Sequence, residues 1–138
     1  MNKQKTTILI VEANQFILGL YSAKFSVNDK FIIYALRDLE QARIIYSKTK
    51  IKVIIIGTSL IKKHNENILS EFSQKAAKDR VPVIVAGNID LPGEFRFLKG
   101  GMFSFVDMMR DNIQELEAEV KRAANFRSGI SKKVKVKC

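Results

Sequence analysis

A chain of 138 residues suits one domain, and its 46% apolar content is enough to bury a core. No apolar run nears the roughly 20 residues of a bilayer span. The first residues also lack the apolar stretch of a secretory signal, which argues against membrane insertion or export and for a cytoplasmic location. The single cysteine, Cys138, excludes a disulfide framework or a zinc site of cysteines and reads as a frayed terminal thiol. The net charge of +10 is uneven, because the seven basic residues Lys121, Arg122, Arg127, Lys132, Lys133, Lys135 and Lys137 have no acidic residue among them after position 120.

In chain order, Thr6–Val11 is a short, continuous β-branched run, as expected of a strand covered on both faces. Gln15–Val27 carries Phe16, Leu20, Ala23 and Val27 at helical spacing, which predicts a helix with those residues facing the core. A weaker strand signal spans Phe31–Ala35. Leu39–Ser47 is predicted helical through Leu39, Ala42, Ile45 and Tyr46. Lys52–Ile56 is the next strand, and Asn67–Ala77 the next helix, with Ile68, Leu69, Phe72 and Ala76 inward. Val81–Ala86 is a strand, and Leu91–Lys99 a short helix with Pro92 in its first turn. Phe103–Val106 follows the Gly100-Gly101 turn. Asn112–Asn125 is a helix whose basic C-terminal end suits its dipole.

Strand then helix, five times over, predicts a parallel sheet with right-handed crossovers. Arg127-Ser128-Gly129 reads as a break, so residues 1–126 form the domain and 127–138 a basic tail. That tail is expected to be disordered rather than an edge strand at 133–137. In such a sheet the functional crevice lies at the carboxyl ends of the strands. This singles out Glu12, Ala13 and Asn14, then Gly57 and Thr58, Gly87 and Asn88, and Asp107 and Met108.

At these positions the sequence resembles the receiver domains of two-component response regulators, over residues 6 to about 126. Ile8-Leu-Ile-Val-Glu-Ala-Asn14 is similar to the family's opening strand, which ends in two acidic residues. Ala35-Leu-Arg-Asp-Leu-Glu-Gln-Ala42 is similar to its Ala-x-x-Asp-Gly-Glu-Glu-Ala turn, Val81-Pro-Val-Ile-Val85 to its fourth strand, and Gly100-Gly101 through Val106 to its Gly-Ala-x-x-Tyr segment. The resemblance implies a three-layer α/β/α, flavodoxin-like, doubly wound sheet of order 2-1-3-4-5.

The family's chemistry, phosphoryl transfer to an aspartate, needs a carboxylate nucleophile and a divalent cation on oxygen ligands. The resemblance places the acceptor at Gly57, which has no side chain. It places the acidic pair at Glu12 and Ala13, the hydroxyl at Gly87, the lysine at Asp107 and the following proline at Met108. The aromatic switch position falls on Ser104, between Phe103 and Phe105. Nucleophile, one metal ligand, hydroxyl and lysine are therefore all replaced. Glu12 and Asp107 alone would make a weak cation site, so neither magnesium nor any other cofactor is expected.

Thr58 and Ser59 offer hydroxyls beside the acceptor position, but their phosphorylation would need a different kinase chemistry. The glycines have two readings: a turn or close backbone approach, or a shallow pocket for a small ligand. His64, the single histidine, lies in the polar stretch Lys62-Lys-His-Asn65 without a catalytic companion. Gly100-Gly101 is not a phosphate loop, and Glu-Ala-Asn-Gln after the first strand does not suit a flavin phosphate.

The expected function is thus non-enzymatic: a receiver-like signalling module that binds a protein partner, or a second copy of itself, without aspartyl phosphorylation. Its expected interaction face holds Phe95, Phe97, Met102, Phe103, Phe105, Met108 and Met109, part of which must turn into the core. The alternatives are sequence-blind contact of the basic tail with nucleic acid or another acidic surface, and an ordinary phosphorylated response regulator.

Overall fold

A computed structural model describes residues 5–87, 103–108 and 112–137, and from residue 126 onward the backbone alone. Its five strands are β1 (Thr6–Val11), β2 (Phe31–Leu36), β3 (Val53–Gly57), β4 (Val83–Gly87) and β5 (Ser104–Asp107). They pair in parallel throughout, in the order β2-β1-β3-β4-β5. The helices are α1 (Gln15–Ser26), α2 (Leu39–Lys48), α3 (Glu66–Lys78) and α4 (Ile113–Lys137), with short 3₁₀ turns at Thr58–Leu60 and Lys63–Asn65. This is the three-layer, flavodoxin-like architecture expected. The helix expected at Leu91–Lys99 lies outside the described residues.

Side-chain alternation along the strands builds two cores. Leu9, Val11, Ile54, Ile56, Val83 and Val85 face α2 and α3. Ile8, Ile10, Val53, Ile55, Ile84, Ala86 and Val106 face α1 and α4. Ile8–Val11 and Ile54–Ile56 have no exposed surface, as expected of strands covered on both sides. Each such side chain contributes about 1.5–3 kcal/mol by leaving water. The helix starts are capped: Asn14 Oδ1 accepts from Ile17 N at 3.0 Å, and Asp38 Oδ1 accepts from Glu40 N at 3.2 Å. Asn112 Oδ1 accepts from Gln114 N and Glu115 N.

Two features depart from the sequence reading. In α1 the buried residues are Leu18, Tyr21 and Phe25. Phe16, Leu20, Ala23 and Val27, expected to face the core, point outward. The helix is apolar around most of its circumference, so periodicity offers two stripes, and the sheet takes the one holding Tyr21 and Phe25. The second departure is α4, which runs through Arg127-Ser128-Gly129 to Lys137 with neither a break nor an edge strand. One interior glycine costs a helix only about 1 kcal/mol, and the alternating lysines are good helix formers.

Candidate functional site at the carboxyl ends of the strands

β1 delivers Glu12 to this end of the sheet, where its side chain is 3% exposed. Asn14 N donates to Glu12 Oε2 at 2.7 Å, and Ser59 Oγ donates to the same oxygen at 2.6 Å. Ser59 Oγ in turn accepts from Ala13 N at 3.3 Å. Arg37 Nε donates to Ala13 O at 2.9 Å, tying the end of β2 to the end of β1.

The other oxygen, Glu12 Oε1, lies over Gly57. A Cβ at position 57 would overlap Oε1 outright and stand 2.7 Å from Glu12 Cδ. The glycine is there because a carboxylate from the neighbouring strand uses its side-chain space. Gly87 repeats the arrangement. Its φ is +147°, a region that disfavours side chains. A Cβ there would overlap Thr58 Oγ1 and lie 3.0 Å from Thr58 Cβ and Cγ2. Both glycines end their strands as ladder members, Gly57 beside Ala86 and Gly87 beside Asp107, rather than starting the loops. Close approach is therefore the reading that fits them, and the space of each missing side chain is filled from within the domain.

Asp107 is buried at the end of β5, and Met108 N donates to Gly87 O at 2.9 Å. Tyr21, on the α1 face of the sheet, is pushed up to about 12, first by burial and then by the negative charge of Glu12. Among the described residues no cluster of three His, Cys, Asp or Glu side chains is placed to hold a metal ion. Ser104 Oγ, at the position where the resemblance expects an aromatic ring, is buried with no hydrogen-bond partner among the described residues.

Sequence reasoning located Glu12, Ala13, Gly57, Thr58, Gly87 and Asp107 by strand end. It assigned Ser59 no role toward Glu12 and missed Tyr21. The pairing of Gly57 with a long acidic residue one strand away was the available signal. Of the expected interaction face, Phe103 and Met108 pack against the core on the α1–α4 side and Phe105 against the core on the other side. Phe95, Phe97, Met102 and Met109 lie outside the described residues. Lys121 and Arg122 are exposed on α4, and Arg122 pairs with Glu119. No described helix is long and apolar enough to cross a membrane.

No family model matches the sequence, and no curated protein matches it. Solved structures do. The receiver domain of an HD domain-containing protein from Pseudomonas fluorescens Pf-5 superposes with a TM-score of 0.79 at 16% identity, covering 96% of each chain. A response regulator receiver domain protein from Clostridium thermocellum gives 0.72 at 20% identity over 91% of this chain and 98% of that one. A CheY-like receiver domain protein from Methanospirillum hungatei JF-1 gives 0.73 at 16%, with the same coverage. At these identities the likeness establishes the shared fold alone.

Proposed function

We propose that the chain is a receiver-like signal-transduction module that acts in the cytoplasm by binding protein and does not accept a phosphoryl group on aspartate. One observation carries the reading: the Glu12 carboxylate fills the side-chain space at Gly57, where the resemblance puts the acceptor. A phosphoryl group arriving there would find no nucleophile. It would also meet a buried negative charge already engaged by Ser59 Oγ and Asn14 N. Neither Ala13 nor Gly87 supplies an oxygen side chain to share a cation or grip a phosphate. With the chemistry replaced while the sheet is kept, the signal enters and leaves through binding.

Incubating the protein with acetyl phosphate and Mg²⁺ and weighing it by intact mass spectrometry tests this. The expected result is no mass gain of one phosphoryl group. A gain that survives Thr58→Ala and Ser59→Ala together would overturn the reading.

A further inference from the structure

The fold sorts charges that the sequence mixes. Each helix runs back from the carboxyl ends of the strands, so helix ends and the starts of the next strands share one end of the sheet. Among the described residues, that amino end collects Lys5 and residues 24–30, 48–52, 75–82 and 121–125. A cleft that Lys121 and Asn125 share with Thr6 and Lys30 places the last stretch there. Together these stretches hold eleven cations and two acids, Asp29 and Asp79. The opposite end, over residues 12–15, 37–41, 58–66, 107–108 and 112–115, holds three cations and six acids.

Helix ends do not account for this basic pole. Lys24, Lys48, Lys75 and Lys78 lie in last turns, where each helix presents about half a negative charge. Three helix ends therefore offset only one or two of the cations. Nor do ion pairs absorb them. Among the described residues Lys24 pairs with Glu117 and Arg122 with Glu119, and the other nine cations have no ion pair. All but Lys24 and Lys52 are exposed.

Two polar clefts indent this surface. One, of about 470 Å³, is lined by Lys30, Lys121, Asn28, Asn125 and Thr6. The other, of about 300 Å³, is lined by Lys50, Lys75, Ser47 and Thr49, while its Asp79 accepts from Tyr46 OH at 2.7 Å. Arg80 adds a separate sign. Its φ is 61°, the left-handed position after α3 where glycine is favoured. Val81 N and Arg80 N close the turn by donating to Ala76 O and Ala77 O. A long cationic side chain thus occupies a place that the backbone favours leaving bare.

We propose that the amino end of the sheet is a surface for the phosphate backbone of duplex nucleic acid, engaged without regard to sequence. Composition selects the occupant. Nine of the eleven cations are lysines, which bring point charges to phosphates. Protein interfaces are depleted of lysine and need aromatic or aliphatic anchors at their centre. Stable attachment to a membrane needs a second, apolar signal beside the charge. Of the large exposed apolar side chains, Val27 alone falls within these stretches. Five strands about 4.8 Å apart make this end roughly 20 Å wide. A duplex of that length carries about a dozen phosphates, at one per ~1.7 Å, a number on the scale of the cations facing it.

This surface is additional to the protein-binding reading and does not rest on it. It also lies on the folded domain, so it is distinct from a tail acting alone. The test is fluorescence anisotropy of a labelled random-sequence DNA duplex titrated with the full chain. Binding should weaken at least 100-fold between ~50 and ~200 mM salt. Lys50→Glu with Lys75→Glu should weaken binding at least tenfold more than Lys62→Glu with Lys63→Glu, which makes the same change of net charge at the opposite end. The first pair should also lower the salt slope by about two, and both should leave the far-UV circular dichroism unchanged. Arg80→Gly should weaken binding at least threefold while the urea midpoint stays or rises, a combination that a purely structural arginine would not give. No binding at ~50 mM salt overturns the proposal. So do equal losses from the two lysine pairs, which would assign the binding to net charge or to the tail. So does half-saturation at a lower phosphate concentration on phosphatidylserine vesicles than on the duplex.

Discussion

The carboxyl ends of the strands and the outer surfaces of α1, β2 and α2 are opposites. At the strand ends polar groups are buried and turned on one another: Glu12 holds Ser59 and Asn14, and the side-chain spaces of Gly57 and Gly87 are occupied. On α1, its C-cap, β2 and α2, by contrast, Phe16, Leu20, Val27, Ile32 and Ile44 stand in solvent. In this fold the strand ends are the usual place for a ligand. Here the side-chain spaces of Gly57 and Gly87 are filled from within, and the large apolar side chains exposed among the described residues lie on α1, its C-cap, β2 and α2.

Substitutions divide along the same line: at the strand ends they should change stability, and at the exposed apolar side chains they should not. The largest effect belongs to Gly57→Asp. It forces a second carboxylate into the space of Glu12 Oε1 and should cost roughly 3–5 kcal/mol, the scale of an unpaired buried charge. Urea denaturation measures it. Combining it with Glu12→Ala should recover most of the loss, since neighbouring substitutions are not additive. A Gly57→Asp protein as stable as the parent would mean that Glu12 does not own that space.

Gly87→Ala should follow, at about 2 kcal/mol, from its positive φ together with the contact to Thr58.

Tyr21 gives a pH signature. Its folded value of about 12 lies above the ordinary 10.0, so the folded state keeps its proton after the unfolded chain has lost it. That stability is complete below pH 10 and is lost as pH rises towards 12, by roughly 2 kcal/mol. Tyr21→Phe should flatten this part of the profile in urea titrations from pH 9 to 12. The smallest stability changes, within about 0.5 kcal/mol, should come from Leu20→Glu and Ile32→Lys, which remove only exposed surface. If those two unfold the protein instead, these side chains belong to the core and the contrast fails.

The fold was legible because Ile8–Val11, Val53–Ile56 and Val83–Ala86 are unbroken aliphatic runs between polar stretches, and strand ends locate the crevice directly. The direction of the Glu12 side chain was not legible, since it depends on Gly57, which is 45 positions away in sequence and one strand away in space. Nor was the seating of α1: a helix with Phe16 and Leu20 on one side and Tyr21 and Phe25 on the other satisfies helical spacing either way. The reach of α4 was hidden for another reason. Ser128-Gly129 has the composition of a stop, yet a glycine stops a helix only when a left-handed residue and a cap accompany it.

The contact between Glu12 and Gly57 also limits which changes this chain tolerates in succession. An acidic residue at position 57 is costly while the side chain at position 12 keeps its length, whereas shortening position 12 first opens a small space and takes one acceptor from Asn14 N and Ser59 Oγ. The order of substitution thus matters as well as the endpoint. A glycine overlaid by a neighbour's carboxylate acts as a ratchet, less costly to pass in one order than in the other.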